Sequence, residues 1–218
     1  GHSYGNIIGR NAEAFTNNPK LSAMKVDGSR DTSSAPNARK FCFSNPALIQ
    51  LVAEDRRRLL ETNRKANPAA FMVSVDPSDG EGTCHCASCR QLGTTTDRVF
   101  HLANEVAKRL RKDDPRAWVG LYAYSSHRLP PTIEVEPNVY VQVAMGFNRT
   151  QYSLPELVER WSEKVSAIGL REYYGVEAWD WGLPGRARRW RVEYHRNSSP
   201  FYAERNLTWI NAETNANW

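Results

Sequence analysis

The sequence has no long apolar run, no low-complexity tract and no short internal repeat. A membrane-spanning helix needs about 20 consecutive apolar residues, so no membrane span is expected. No glycine-rich phosphate turn follows a predicted strand, which argues against an open, doubly wound nucleotide-binding sheet. The chain begins on Gly1 without Met or a visible secretory signal. That start indicates a fragment, a processed product or a tagged protein.

The net charge of +5 comes from basic residues that are scattered along the chain. Runs such as Arg56-Arg57-Arg58 and the basic residues of 186–191 are typical of a solvated helix face, so no nucleic-acid partner is expected. The seven Trp and nine Tyr are more informative. Sugars stack their flat C–H faces on aromatic rings, although about half of these side chains are expected in the core.

Apolar runs alternate with polar loops and amphipathic helices, a pattern typical of βα units around a parallel sheet. Helices are predicted from the Asn45-Pro46 cap, from about Asp97, and from a capping box at Ser153. Gly169 is predicted to end the third helix, and Ser199-Pro200 to open a short fourth one. Strands are predicted at residues 70–75, 118–124, 139–144, 170–176 and 207–210.

These elements predict an α/β fold, a (β/α)8 TIM-type barrel that is truncated to about five to six βα units. A further strand is expected to end just before His2, and no helix follows the last strand. Residues 1–218 are therefore treated as a single partial barrel domain that lacks N-terminal strands and the last helix. The alternative is an open doubly wound sheet.

In parallel α/β barrels the functional residues lie at the carboxyl ends of the strands. Glycoside hydrolysis needs two carboxyl groups there, one that protonates the leaving oxygen and one that acts as base or nucleophile. Glu213 is the first catalytic candidate, because it ends an apolar strand where no turn geometry requires Glu. The candidates for the second role are Glu177, Asp180 and Asp79. The expected sugar-binding residues are His2, Tyr4, Asp76, Tyr122, Tyr124, His127, Asn148, Trp179, Asn215 and Trp218.

The four cysteines lie in two neighbouring predicted loops. Cys84, Cys86 and Cys89 follow one strand, and Cys42 belongs to the preceding βα loop. Neighbouring βα loops touch at one face of a barrel, so the four thiols are expected to meet. Three interpretations stay open: a tetrahedral thiolate site with a structural Zn²⁺, one or two disulfides in a secreted or periplasmic protein, or plain reduced thiols.

Several stretches carry a resemblance to a known family. They are HSY at 2–4 with VDGSR at 26–30, FCFSNP at 41–46, SVDPSDG at 74–80 running into the cysteines, LYAY at 121–124, and NAETNANW at 211–218. With these motifs the chain resembles the bacterial domain of unknown function 4838 family, a glycoside-hydrolase-like barrel family loosely akin to alpha-glucuronidases. The resemblance implies a (β/α) barrel, action on glycans, and a chain that continues past Trp218 into another helix.

The sequence thus predicts a glycoside hydrolase, or a domain of one, that acts on a complex polysaccharide or glycoconjugate. The alternative is a non-catalytic glycan-binding barrel, with an aromatic mouth but no productive carboxylate pair. A carbohydrate substrate is the expected partner in both cases. No cofactor is required for the expected catalysis, and the metal at the cysteines would be structural.

Overall fold

The computed structural model describes residues 1–144, 150–174 and 192–214, and only the backbone of Tyr174, Glu213 and Thr214. The chain divides into two compact units. The first unit contains residues 1–121 and 131–139, and the second contains residues 122–130 and 140–218.

Five strands form one parallel sheet, and their order in the sheet follows their order in the sequence. They are β1 (Met72–Ser74), β2 (Trp118–Ala123), β3 (Val139–Ala144), β4 (Ala167–Tyr174) and β5 (Leu207–Thr214). The predicted α/β class with a parallel sheet is therefore confirmed. Across the described strands the sheet is not closed, so the eight-stranded barrel stays a prediction.

The sequence analysis predicted two helices in this part of the chain, one from Pro46 and one from about Asp97, and the structure describes five in the first unit. They are α1 (Tyr4–Arg10), α2 (Ala12–Asn17), α3 (Pro46–Ala66), α4 (Ala87–Gln91) and α5 (Thr95–Asp113). The Oδ1 atom of Asn45 accepts the N–H of Ala47 at 2.9 Å, and Pro46 takes the first helical position of α3. Thr94 and Asp97 form a capping box at the start of α5. No helix of the described chain is long and apolar enough to cross a membrane.

Arg56 is not on a solvated face as predicted. Its side chain is 2% exposed, forms an ion pair with Asp55, and donates to the backbone oxygen of Ser74 at 2.9 Å. Arg57 and Arg58 are exposed as expected. The prediction failed because Arg56 lies on the side of α3 that faces the end of β1. There the backbone oxygen of Ser74 and the buried carboxylate of Asp55 accept hydrogen bonds from its guanidinium.

The second unit contains α6 (Leu154–Ser162) and α7 (Val192–Ala203). The predicted capping box is confirmed, because the Oε2 atom of Glu156 accepts the N–H of Ser153 at 2.7 Å. The prediction that Ser199-Pro200 opens a helix is wrong, since Pro200 lies inside α7. Proline lacks only one helical donor, and it stands close to the end of α7, so few helical bonds depend on it.

Gly169 does not end a helix as predicted. The helix ends at Ser162, and Gly169 lies inside β4 as the Cα partner of Gln142. A Cβ at position 169 would lie 1.9 Å from the Oη atom of Tyr140 and 2.8 Å from the backbone oxygen of Trp209. Glycine is needed here for close packing between strands, which a local sequence pattern does not indicate.

Candidate functional site

Four cysteine sulfurs, those of Cys42, Cys84, Cys86 and Cys89, form a compact group in the first unit, here called the cysteine cluster. All four sulfur atoms lie within 4.8 Å of one another. The Sγ atom of Cys42 is 3.7 Å from that of Cys86 and 3.9 Å from that of Cys89. The predicted meeting of the two loops is thereby confirmed, and all four thiols are free.

The spacing of the sulfur atoms fits one tetrahedral metal ion. Zn²⁺ binds thiolates at about 2.3 Å, which in a regular tetrahedron puts the sulfur atoms about 3.8 Å apart. The two distances from Cys42, 3.7 and 3.9 Å, lie on either side of that value. A closed set of four thiolate ligands is typical of structural zinc rather than of a catalytic metal with an open position.

Donors around the cysteine cluster favour negative charge on its sulfur atoms. The backbone N–H of Met24 lies 3.2 Å from the Sγ atom of Cys84. Hydrogen bonds from the Cys84 and Cys89 thiols lower the pKa of Cys42, which favours a thiolate there. Burial acts to lower the pKa of Arg30, but its hydrogen bond to Cys42 raises it, so a permanent cation lies beside the cluster. These groups would offset the charge of a metal tetrathiolate.

A second polar group, His2 with Asp76 and Asp79, lies at the carboxyl end of β1. The Nδ1 atom of His2 is 2.9 Å from the Oδ2 atom of Asp76 and 2.6 Å from the backbone oxygen of Pro77. Its Nε2 atom is 3.7 Å from the Oδ1 atom of Asp79. The hydrogen bond to Asp76 raises the pKa of His2 against the opposing effect of burial. The group therefore combines a buried carboxylate, an exposed carboxylate and a half-exposed imidazole.

Lys40 binds the backbone of residues 78–80, in the loop that carries Asp79. Its ammonium donates to three successive backbone oxygens, those of Ser78, Asp79 at 2.8 Å and Gly80 at 2.9 Å. Burial lowers the pKa of Lys40, although the nearby carboxylates act to raise it. The sequence analysis missed this residue, because nothing in its surroundings in the chain points to residues 78–80.

The remaining described sugar-binding candidates differ in exposure. Tyr4 is fully buried, and its ring stacks on Phe41 with centroids 3.8 Å apart. Tyr122 and Tyr124, in the second unit, are half-buried. His127 is buried and meets the ring of Tyr124 edge-on at 6.5 Å.

One face of the sheet in the second unit carries aromatic and hydrogen-bonding side chains. Cα partners on parallel strands lie on the same face of a sheet. The β3–β4 and β4–β5 registers therefore align the residues here called the polar row, which are Tyr140, Gln142, Arg171, Tyr173, Trp209 and Asn211. The opposite face carries the buried aliphatic side chains of Val141, Val143, Ile168 and Leu170, and the buried carboxylate of Glu172.

Contacts within the polar row link its members. The rings of Tyr140 and Trp209 meet edge-on, with centroids 5.0 Å apart. Arg171 donates to the Oδ1 atom of Asn211, and its guanidinium carbon lies 5.8 Å from the ring centroid of Tyr173. Burial raises the pKa of Tyr140 to about 12, so its phenol stays protonated at neutral pH. None of the six residues of the polar row is among the sugar-binding candidates of the sequence analysis.

Glu172 is a buried carboxylate that the sequence analysis also missed. It lies on the face opposite the polar row and is 1% exposed. The phenol of Tyr194 in α7 donates to its Oε1 atom at 3.0 Å, and the Oη atom of Tyr202 lies 3.4 Å from that phenol. The alternation of side chains along β4 separates Glu172 from the polar row.

Of the four predicted catalytic carboxylates, Glu177 and Asp180 lie outside the described residues, and only the backbone of Glu213 is described. The backbone of Glu213 is the Cα partner of Tyr173, so position 213 belongs to the face of the polar row. The candidates that lie outside the described residues are Asn148, Glu177, Trp179, Asp180, Asn215 and Trp218.

The sequence model of a family described as "Domain of unknown function (DUF4838)" matches residues 1–177. No curated protein matches the chain. Among solved structures, endo-glycoceramidase II from Rhodococcus sp. is similar, with a TM-score of 0.43 in its five-membered iminocyclitol complex, 0.43 in its ganglioside GM3 complex and 0.44 in a further structure. The identity is 14%, over 78% of this chain and 41% of that chain. This chain thus spans about two fifths of that protein's length, and a similarity this distant carries no argument about activity.

Proposed function

Since the chain belongs to the family described as Domain of unknown function (DUF4838), we propose that it acts on glycans as part of a glycoside-hydrolase-like (β/α)8 barrel. The observation that carries this proposal is the polar row of the second unit. The polar row combines an exposed indole with amide and guanidinium side chains, whereas the opposite face carries buried aliphatic side chains beside the buried carboxylate of Glu172. The proposed substrate is a complex polysaccharide or glycoconjugate.

The polar row offers the two kinds of contact that a sugar ring makes. Trp209 is 45% exposed, and an exposed indole stacks on the apolar C–H face of a pyranose. Gln142 and Asn211 supply amide donors and acceptors for hydroxyl groups. Arg171 adds a guanidinium whose fixed donors bind sugar oxygens directionally. A few convergent polar groups beside aromatic surface are typical of a small-molecule site.

Glu213 remains the proposed first catalytic carboxylate. The support is positional, because residue 213 continues the face of the polar row toward the carboxyl end of β5. Glu177, Asp180 and Asp79 are proposed for the second role. Catalytic pairs in glycosidases are separated by roughly 5 to 10 Å.

The His2–Asp76–Asp79 group is proposed as a further sugar-binding element at the carboxyl end of β1. Asp76 orients the imidazole of His2 through Nδ1, and Nε2 lies 3.7 Å from the exposed carboxylate of Asp79. We propose that this half-exposed imidazole and this carboxylate bind hydroxyl groups of the sugar. Buried Tyr4 is proposed to support this element through packing rather than direct contact, because its ring is covered.

The experiment is hydrolysis of a broad panel of polysaccharides and glycoconjugates, with products detected by mass spectrometry. Glu213→Gln is expected to lower the rate by roughly 10²- to 10⁴-fold, because general acid–base catalysis contributes that much. Glycan binding and thermal unfolding should change little. Glu13→Gln, at an exposed carboxylate of α2, is the matched control.

Three outcomes separate the hypotheses. Full activity in Glu213→Gln would show that Glu213 is structural. Binding of glycans without cleavage by the unmodified protein would favour the non-catalytic glycan-binding alternative. Neither binding nor cleavage across the panel would refute action on glycans altogether.

We also propose that the cysteine cluster holds a structural Zn²⁺. The support is the sulfur spacing near the tetrahedral value and the absence of a disulfide among the four cysteines. One zinc ion per chain is expected by elemental analysis, with loss of that zinc in Cys42→Ser. Protein that is purified in zinc-containing, reducing buffer and carries no metal would refute the site.

A further inference from the structure

Three consecutive residues, Lys40, Phe41 and Cys42, contact different parts of the first unit's candidate site. Their backbone is held by residues 21–23: Ala23 donates to the oxygen of Lys40 at 2.9 Å, and Cys42 donates to the oxygen of Leu21 at 3.0 Å. Successive side chains of such a paired, extended segment point to opposite sides. Residues 40–42 are here called the clamp segment.

The first clamp residue holds the start of the loop that follows β1. Three carbonyl oxygens in succession, those of residues 78–80, converge on the ammonium of Lys40. Without a cation these three dipoles would repel one another in a buried place. The φ of Gly80 is +76°, a conformation that side chains rarely adopt, so this part of the loop follows an unusual path. Lys40 is therefore a direct constraint on the backbone of Asp79.

The second clamp residue holds His2 indirectly. The ring of Phe41 is fully buried and stacks on Tyr4, with centroids 3.8 Å apart. The preceding residue, Ser3, donates both its N–H and its hydroxyl to the backbone oxygen of Asp76, at 2.9 and 3.0 Å. Phe41 thus fixes the start of α1 beside the loop, and with it the imidazole of His2.

The third clamp residue joins the far end of the same loop. Cys42 meets the three cysteines at positions 84, 86 and 89 in the cysteine cluster. One metal ion there would tie the clamp segment to residues 84–89 through covalent-strength bonds. Without the metal, that end is held by weaker contacts, such as the N–H of His85 to the oxygen of Met24 at 2.8 Å.

We propose that the clamp segment couples metal binding at the cysteine cluster to the arrangement of the His2–Asp76–Asp79 group, so that the metal positions a sugar-binding loop it does not touch. The inference rests on the zinc site and on the glycan role proposed above. Lys40 and the metal act as positioning elements at the two ends of residues 76–89. Both ends of this loop contact the same short, paired segment. Loss of the contacts at one end is therefore expected to increase the mobility of the backbone at the other end.

The experiment measures amide hydrogen exchange by NMR in the whole chain with zinc, after chelation under reducing conditions, and after zinc is returned. The amides of Ser3 and Asp76 report on the loop, and those of α5 serve as the internal reference. Zinc removal is expected to speed exchange at Ser3 and Asp76 by roughly tenfold or more while α5 stays protected, because a local opening costs less than global unfolding. Returned Zn²⁺ should restore slow exchange.

A second set of variants tests the other end with zinc bound. Lys40→Met is expected to speed the same amides without loss of metal, whereas Lys40→Arg should keep them slow, because a guanidinium still donates to carbonyl oxygens. Lys20→Met, at an exposed lysine, is the matched control and should change nothing.

Each outcome decides a different claim. If zinc binds but its removal leaves Ser3 and Asp76 unchanged in protein with a protected α5, the coupling is overturned and the zinc site stands. If no metal binds, the zinc site and the coupling fail together, and the glycan role is untouched. If zinc removal unfolds the whole chain, the zinc-bound Lys40→Met protein decides: fast local exchange supports the clamp, and unchanged exchange overturns it.

Discussion

Replacing Gly169 with alanine is expected to destabilise the second unit strongly. The added Cβ would lie 1.9 Å from the Oη atom of Tyr140, where ordinary contact begins at 3.4 Å. The tyrosine would have to move by the difference, 3.4 − 1.9 = 1.5 Å. It has little room, because its side chain is 3% exposed and meets the ring of Trp209. A shift of β4 away from Tyr140 would not remove the clash, since the backbone oxygen of Trp209 would lie only 2.8 Å from the added Cβ.

The cost should lie at the upper end of the range for overpacked cores, about 3 kcal/mol. For a chain of this size that free energy corresponds to a fall of about 6–12 °C in the unfolding midpoint. Tyr140→Phe removes the nearest atom but leaves the Cζ atom 2.9 Å from the added Cβ. Gly169→Ala should therefore cost less in the Tyr140→Phe background, with a coupling energy of about 1 kcal/mol.

Urea and thermal unfolding of the four proteins in this cycle measure both quantities. Gly9→Ala is the control, because nothing lies within 4 Å of its added Cβ and it stands in the helix α1. That substitution should be neutral or stabilising by up to about 1 kcal/mol, since alanine favours helix more than glycine does. A midpoint of Gly169→Ala equal to wild type, or no coupling to Tyr140, would refute the argument that close packing requires this glycine.

Two further predictions concern the first unit. Burial acts to raise the pKa of Asp97, but hydrogen bonds from Thr94 and Thr132 lower it. The ionised Asp97 therefore stabilises the folded protein fully at pH values above its pKa in the unfolded chain. This stabilisation is lost as the pH falls through its lower pKa in the folded protein. Asp97→Asn should cost about 1–3 kcal/mol at neutral pH and flatten the acid side of a urea-midpoint profile; an unchanged profile would contradict this. Arg56→Met should cost about 3 kcal/mol, because it leaves a buried carboxylate with fewer donors. Arg57→Met, at an exposed site, should stay within about 0.5 kcal/mol in the same assay, and equal losses would refute the burial argument.

The starts of α3 and α6 could be predicted because their causes are local. Asn45 and Pro46 supply the cap and the preset φ of α3, and Ser153 with Glu156 supply the capping box of α6. The strand at Val139–Ala144 was predicted to the residue, because an apolar run bounded by polar loops is enough to define a buried strand. The meeting of Cys42 with the other cysteines followed from one rule, that neighbouring βα loops share a face.

Residues whose role depends on a distant partner were missed or misjudged. Gly169 looked like a helix stop, although Tyr140, far back in the chain, is the reason for it. Lys40 looked like any lysine until the fold brought three carbonyl oxygens to it.

The sequence by itself determined the parallel α/β class, the starts of α3 and α6 and the convergence of four thiols, because caps, periodicity and loop adjacency act over a few residues or one βα unit. Only the tertiary structure decided which residues share a face. The register of β3, β4 and β5 aligns Gln142, Arg171 and Asn211 with the aromatic side chains of the polar row, and puts Glu172 on the other side. A register depends on hydrogen bonds between strands that lie far apart in the chain, and a shift of one residue would exchange the two faces.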